Sequence, residues 1–193
     1  MAITNNALDK NKIMLYGLTE LKLIPYSDPD TLGTKSFTFD TLLEDSVSLQ
    51  QDENTTNERG CETKSEPAIK NVIFGAWQFA ATSLDLQSEI MTNFGGWVAG
   101  KTDTDVILAP TAYKTQYAMA IMKFGSSDMC VVCPKIQIDA RAVLASLKTG
   151  SGECAISGTA LEGELTVDSG KKKATVAFVP SAKLNTVIPE LAK

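Results

Sequence analysis

The chain has no histidine among its 193 residues. That removes the commonest general base and every triad built on an imidazole; a Ser/Lys or paired-carboxylate enzyme stays open, but nothing marks one. Cysteine is scarce. Of Cys61, Cys130, Cys133 and Cys154, only Cys130 and Cys133 have the spacing of half a zinc or redox site. No second close pair follows. Cys130-Val-Val-Cys133 also sits in a stretch that reads as a strand, where residues three apart point to opposite faces, so packed thiols are expected. There is no apolar run of about 18 residues and no charged-then-apolar leader at Met1, which predicts a soluble protein folding in a reducing cytoplasm, with no membrane anchor. Aromatic residues make up 7% of the chain, and no basic surface interleaves them as a nucleic-acid platform would require. A net charge of −5 points the same way. The sequence carries no phosphate-binding loop, dinucleotide glycine pattern, nucleophile elbow, calcium loop or metal cluster. No cofactor, metal or catalytic residue is expected.

What is present is β patterning. Lys135, Gln137, Asp139 and Arg141 alternate with Ile136, Ile138, Ala140 and Ala142, the signature of a half-buried antiparallel strand. Tyr117 to Phe124 is apolar on both faces and reads as a strand covered on both sides. Gly125-Ser126-Ser127-Asp128 turns the chain between the two. Cys154 to Leu161 returns as a third strand, so Tyr117 to Leu161 reads as a meander.

Before the meander, Ile13 to Tyr26 reads as a strand that Gly17 breaks and Pro25 ends. Ser36 to Leu49 alternates, with Phe37, Phe39, Leu43, Val47 and Leu49 on one face, and Asp45 marks a bulge or bend. Ala68 to Thr82 reads as one apolar strand in which Gly75 permits close backbone approach. Leu86, Ile90 and Phe94 are four apart and predict a single helix from about Ser83 to Asn93, capped by Thr82 or Ser83 and stopped at Gly95-Gly96. Trp97 to Ala109 is weakly patterned, with a short strand Val106 to Leu108. Ala174 to Val179 is a last strand, and Lys171-Lys172-Lys173 before it reads as a solvated tip. The 193 residues are expected to form one domain, a mainly β antiparallel sandwich or partly closed barrel with one flanking helix and a long projecting loop. Residues 1–12 read as an N-terminal arm and 181–193 as a tail, in which Pro189 argues against a long helix.

The segment Gln50 to Glu66 is wholly polar and long for a passive connection. A projecting hairpin that touches a partner is the favoured reading. Between Asp40 and Glu66 stand Asp40, Glu44, Asp45, Asp52, Glu53, Glu58, Glu62 and Glu66, against only Arg59 and Lys64.

The order of these features resembles the major tail proteins of bacteriophages, the subunits of the tail tube. Met14-Leu15-Tyr16-Gly17-Leu18 stands near the start, and a strand ends at Asp45-Ser46-Val47-Ser48-Leu49 before the long polar segment. An apolar strand then meets the helix at Thr82-Ser83-Leu84-Asp85-Leu86, closed by Phe94-Gly95-Gly96. Pro134-Lys135-Ile136-Gln137-Ile138 and Ile156-Ser157-Gly158-Thr159-Ala160-Leu161 come late. The similarity spans roughly Ile13 to Val179 and is one of plan more than of any single motif.

The resemblance implies a structural virion protein with no enzymatic activity, assembled in the host bacterial cytoplasm. Its copies would form six-fold rings whose inner sheets join into one barrel around a channel, and the rings would stack into a tube. Stacking would fall to the arms and to Gln50, Gln51, Asp52, Glu53, Asn54, Thr55, Thr56, Asn57, Glu58, Arg59 and Glu62. The implied partners are further copies, other tail proteins, and double-stranded DNA that passes through without specific binding. An acidic bore would repel DNA and let it slide, and the candidate lumen-facing acids are Asp40, Glu44, Glu20, Asp139 and Glu162. The mixed charge of Lys135, Gln137, Asp139 and Arg141 points instead to a subunit seam or the tube exterior. The alternatives are another virion component, such as a head–tail connector or capsid decoration protein, or an unrelated β-sandwich binding module or enzyme with an unmarked carboxylate site.

Overall fold

The computed structural model describes residues 15, 17–61, 64–100, 107–112, 115–144, 152–168 and 170–192; the side chains of 58–70 lie outside that description. The N-terminal arm, Glu62 and Thr63 therefore lie outside the described residues.

The strands in chain order are β1 (Leu18–Asp28), β2 (Thr31–Leu32), β3 (Phe37–Phe39), β4 (Ser48–Gln51), β5 (Thr55–Cys61), β6 (Lys64–Ile73) and β7 (Trp77–Ser83). Helix α1 (Ser88–Phe94) follows, then β8 (Val98–Ala99) and β9 (Ile107–Leu108). The meander is β10 (Gln116–Phe124), β11 (Ser127–Val143) and β12 (Glu153–Leu161). Last come β13 (Gly163–Val167), β14 (Gly170–Ala174), β15 (Ala177–Pro180) and a short helix α2 (Leu184–Val187) between two 3-10 turns. Nine strands form one antiparallel sheet, ordered β2-β1-β10-β11-β12-β7-β4, with β3 beside β1 and β15 beside β11. The sheet curls into a half-barrel. The meander thus forms with the expected neighbours.

The 17-residue β11 organises the sheet. Its first half pairs with β10 and β15, and its second with β10 and β12. The register slips between Ala118 and Ala120 opposite the Cys133–Ile136 stretch. Such a bulge accommodates Pro134 inside a central strand, where it would otherwise cost a ladder hydrogen bond. Across it the inward set passes from Val131 and Cys133 to Ile136, Ile138 and Ala140. Cys130 and Val132 belong to a second core on the opposite face. Cys130 and Cys133 are free, buried thiols pointing into different cores, so they do not converge on one ion.

On one face of the sheet Leu21, Leu23, Phe79, Ile136, Ile138 and Ile156 pack with Ile90, Met91 and Phe94 of α1. A helix of seven residues has no stability of its own and is held by this burial, including an edge-on contact of Phe94 with Phe37 at 5.4 Å between ring centres. It starts later than expected. Ser83 is the last residue of β7, and its hydroxyl bonds the Asp85 amide at 3.3 Å, so the chain turns before Gln87 and α1 begins at Ser88. Gly95 ends it as expected: a β-carbon there would meet the Ala140 carbonyl oxygen at 2.6 Å.

Other boundaries shift for local reasons. β1 runs through Pro25, whose carbonyl accepts the Gly33 amide at 2.8 Å. The Ser36 to Leu49 alternation splits at Asp45, which has φ +58°, so the expected bend is present. Leu42 rather than Leu43 packs on the core, and Leu43 is exposed. The expected Ala68–Thr82 strand is two strands, broken at Phe74-Gly75-Ala76. The expected final strand is also two, β14 and β15, and β14 pairs with the unexpected β13. Lys171–Lys173 thus lie along β14, not at a turn. Finally, residues 181–192 of the expected tail are folded onto the sheet. Leu184 and Ile188 are buried on the opposite face of the sheet against Ile24, Met119, Val132 and Leu165.

Candidate assembly surface

β5 and β6 pair only with each other, in the register Thr55↔Ile73, Thr56↔Val72 and Asn57↔Asn71. Among the described residues they share no substantial packing with another element. Ten residues of β6 give a reach of about 30 Å at ~3.3 Å per residue. The polar segment is therefore one arm of a two-stranded ribbon, and the apolar stretch before β7 is the other. Over Thr55–Ile73, Glu58, Glu62 and Glu66 are matched by Arg59, Lys64 and Lys70, with Glu58 opposite Lys70. The ribbon is neutral; the acids of this region lie before it.

The root of the ribbon is pinned. The Asp52 amide donates to the Ala76 carbonyl at 2.8 Å, and the Gly75 amide to Asn54 Oδ1 at 2.9 Å. Gln51 Nε2 donates to the Gly75 carbonyl at 3.2 Å, and Gln78 Nε2 to Asp52 Oδ2 at 2.8 Å. Gly75 lies so close to the Asp52 backbone that a β-carbon would fall on its carbonyl group. The expected close approach is thus real. Of the predicted stacking residues, Gln50, Glu53, Thr55, Thr56 and Asn57 are exposed. Gln51, Asp52 and Asn54 are exposed too, and serve in the root. Glu58 and Arg59 lie in β5.

Beside the root stand Val72, Ile73 and Phe74, 44%, 49% and 76% exposed. Sequence patterning placed them in one apolar strand, Ala68 to Thr82. A ribbon with polar Thr55, Thr56 and Asn57 opposite has nothing to cover them with. Close by in sequence, Trp77 helps line an apolar groove of about 270 Å³ with Leu18, Leu49, Met122, Phe124, Val131, Val176 and Phe178. Its lining comes from β1, β4, β7, β10, β11 and the β14–β15 stretch, so no local pattern announces it.

The face of β4, β7, β12 and β11 that points away from α1 is polar and mostly uncharged. One row across the four strands reads Gln50, Gln78, Thr159, Gln137, and the next Ser48, Ala80, Ser157, Asp139. Thr159 Oγ1 donates to Gln78 Oε1 at 3.0 Å. Asp139 is paired with Arg141 at 2.6 Å. Lys135 is committed elsewhere: its ammonium lies 4.9 Å from the Tyr117 ring centre and 5.7 Å from that of Tyr26, and it donates to the Pro29 carbonyl.

The five candidate lumen acids do not cluster. Glu20 sits on β1 with Lys123 at 2.8 Å and Lys22 at 3.4 Å. The Lys123 hydrogen bond, aided by the charges of both lysines, holds its carboxyl below the usual range. Asp139 is toward the other end of the sheet. Asp40 and Glu44 are exposed between β3 and β4, and Glu162 is exposed between β12 and β13. Glu162 borders a second cavity, of about 400 Å³, with Asp30, Glu164, Lys171 and Glu190. Charges of both signs are interspersed there and Lys171 bonds Glu164 at 2.7 Å, so this larger cavity offers no focused chemistry. Among the described residues no three of His, Cys, Asp and Glu are grouped to hold a metal, and no helix is long and apolar enough to cross a membrane. No protein-family model matches the chain, and no curated protein matches its sequence.

Proposed function

We propose that the chain is a structural subunit that assembles with copies of itself into rings, and that the rings stack as the tube of a bacteriophage tail. The observation that carries this reading is the ribbon Thr55–Ile73. It stands off the core, its direction is pinned at the root, and it exposes Val72, Ile73 and Phe74 beside that root. Exposed apolar surface held in a fixed direction is the property of an interaction element. The polar face of β4, β7, β12 and β11 supports the same reading as a channel wall. DNA carries one charge per about 1.7 Å of axis, and a wall of Gln, Ser and Thr with Asp139 and Arg141 neutralising each other offers no cationic hold. Passage would then rest on the lack of free cations more than on a lining of acids. In this reading the protein is virion-bound and non-catalytic, and its partners are further copies, other tail proteins and transiting DNA.

Negative-stain microscopy with sedimentation velocity on the purified chain tests it. Rings or tubes with a central hole are expected as concentration rises. A monodisperse monomer at every concentration and ionic strength would overturn the proposal.

A further inference from the structure

We infer that the Val72–Phe74 ridge of one copy docks in the apolar groove of a second copy, between Trp77 and Phe178; this rests on the self-assembly reading above. Among the described residues, nothing occupies the groove or covers the ridge. Phe74 is 76% exposed and is not part of its own groove lining. An apolar cavity of ~150 Å³ accepts a benzene ring, so a groove of about 270 Å³ has room for the Phe74 ring.

Charge is matched in the sense that matters for an apolar contact. Neither the segment Val72–Ala76 nor any residue lining the groove is ionisable, so docking buries no unpaired charge, the main penalty in closing such an interface. The rigid root presents the ridge at a fixed angle, which limits the ordering cost on binding.

The contact joins two different patches. Made head to tail it is heterologous, and continues from copy to copy until it closes into a ring or runs on as a filament. Three side chains and their groove remove on the order of 600 Å² from water, below the ~1,200–2,000 Å² of a stable pairwise complex. A lone pair of chains is therefore weak, and the contact persists where closure or stacking repeats it. Assembly with a sharp concentration threshold follows.

The test uses full-length Phe74→Asp and Phe178→Asp. Both side chains are more than half exposed, so each variant should melt as the wild type does while its assembly threshold rises at least tenfold. In parallel, a photo-crosslinking phenylalanine analogue at position 74, in an equal mixture of ¹⁴N and ¹⁵N chains, should capture peptides containing Val131 or Phe178 in mixed-isotope pairs. Wild-type assembly that both variants match, or crosslinks only within a chain or only to another surface, would overturn this docking while leaving self-assembly standing. A wild type that never assembles would overturn both.

Discussion

Gly75 has no room for a methyl group, because the Asp52 carbonyl occupies the place a β-carbon would take. Gly75→Ala must push the two strands of the root apart and strain the 2.9 Å bond from its amide to Asn54. A loss of about 1–3 kcal/mol is expected, as for other overpacked sites, read by chemical denaturation. Hydrogen exchange at the Asp52 and Gly75 amides should quicken more than exchange in β10 and β11. A second residue-scale expectation concerns alkali. Burial pushes the Tyr26 hydroxyl up to about 12, with the charges of Glu190, Asp30 and Glu164 adding to it, and pushes the Cys133 and Cys154 thiols up to about 12 and 11. Each group holds its proton more tightly when folded, so the unfolded chain deprotonates first. Stability is therefore full below about pH 8, where unfolded thiols begin to ionise, and falls as pH rises toward 12. Tyr26→Phe gives up the 2.9 Å bond to the Pro134 carbonyl, costing about 1 kcal/mol at neutral pH. It should nevertheless show a shallower decline above pH 10, measured by urea unfolding across pH.

Among elements, the ribbon is separable from the core and α1 is not. Replacing Thr56–Val72 by a two-residue Asn-Gly turn, which suits a tight hairpin, should leave the melting temperature within a few degrees and abolish assembly in the microscope. Unfolding of that variant would show that the ribbon belongs to the core. The meander and the bend at Asp45 were legible in the sequence because alternation and turn chemistry are local. The start of α1 was not, since Leu86, Ile90 and Phe94 share a period while the Ser83–Asp85 contact delays the helix. The C-terminal element left a readable trace in the four-residue spacing of Leu184 and Ile188. Pro189 masked it, although it merely opens the final 3-10 turn. Ridge and groove lay beyond local patterning for opposite reasons. Val72, Ile73 and Phe74 look like any covered strand until their partner strand is known, and the groove is assembled from segments more than 100 residues apart.

At the scale of the whole molecule, a sheet with a core on each face leaves the four-strand polar wall, the ribbon and the groove among the free surfaces of the described residues. β11 joins these regions: one end lies in the groove at Val131, the middle is clasped at Pro134 by Tyr26, and the other end lies in the polar wall at Asp139. Seventeen residues of it span about 55 Å at ~3.3 Å per residue. A pull along that strand loads its antiparallel hydrogen bonds to β10, β12 and β15 together, in shear, instead of peeling them one at a time. The chain is thus built with a tensile spine, and stretching it end to end along β11 must rupture three strand pairings at once.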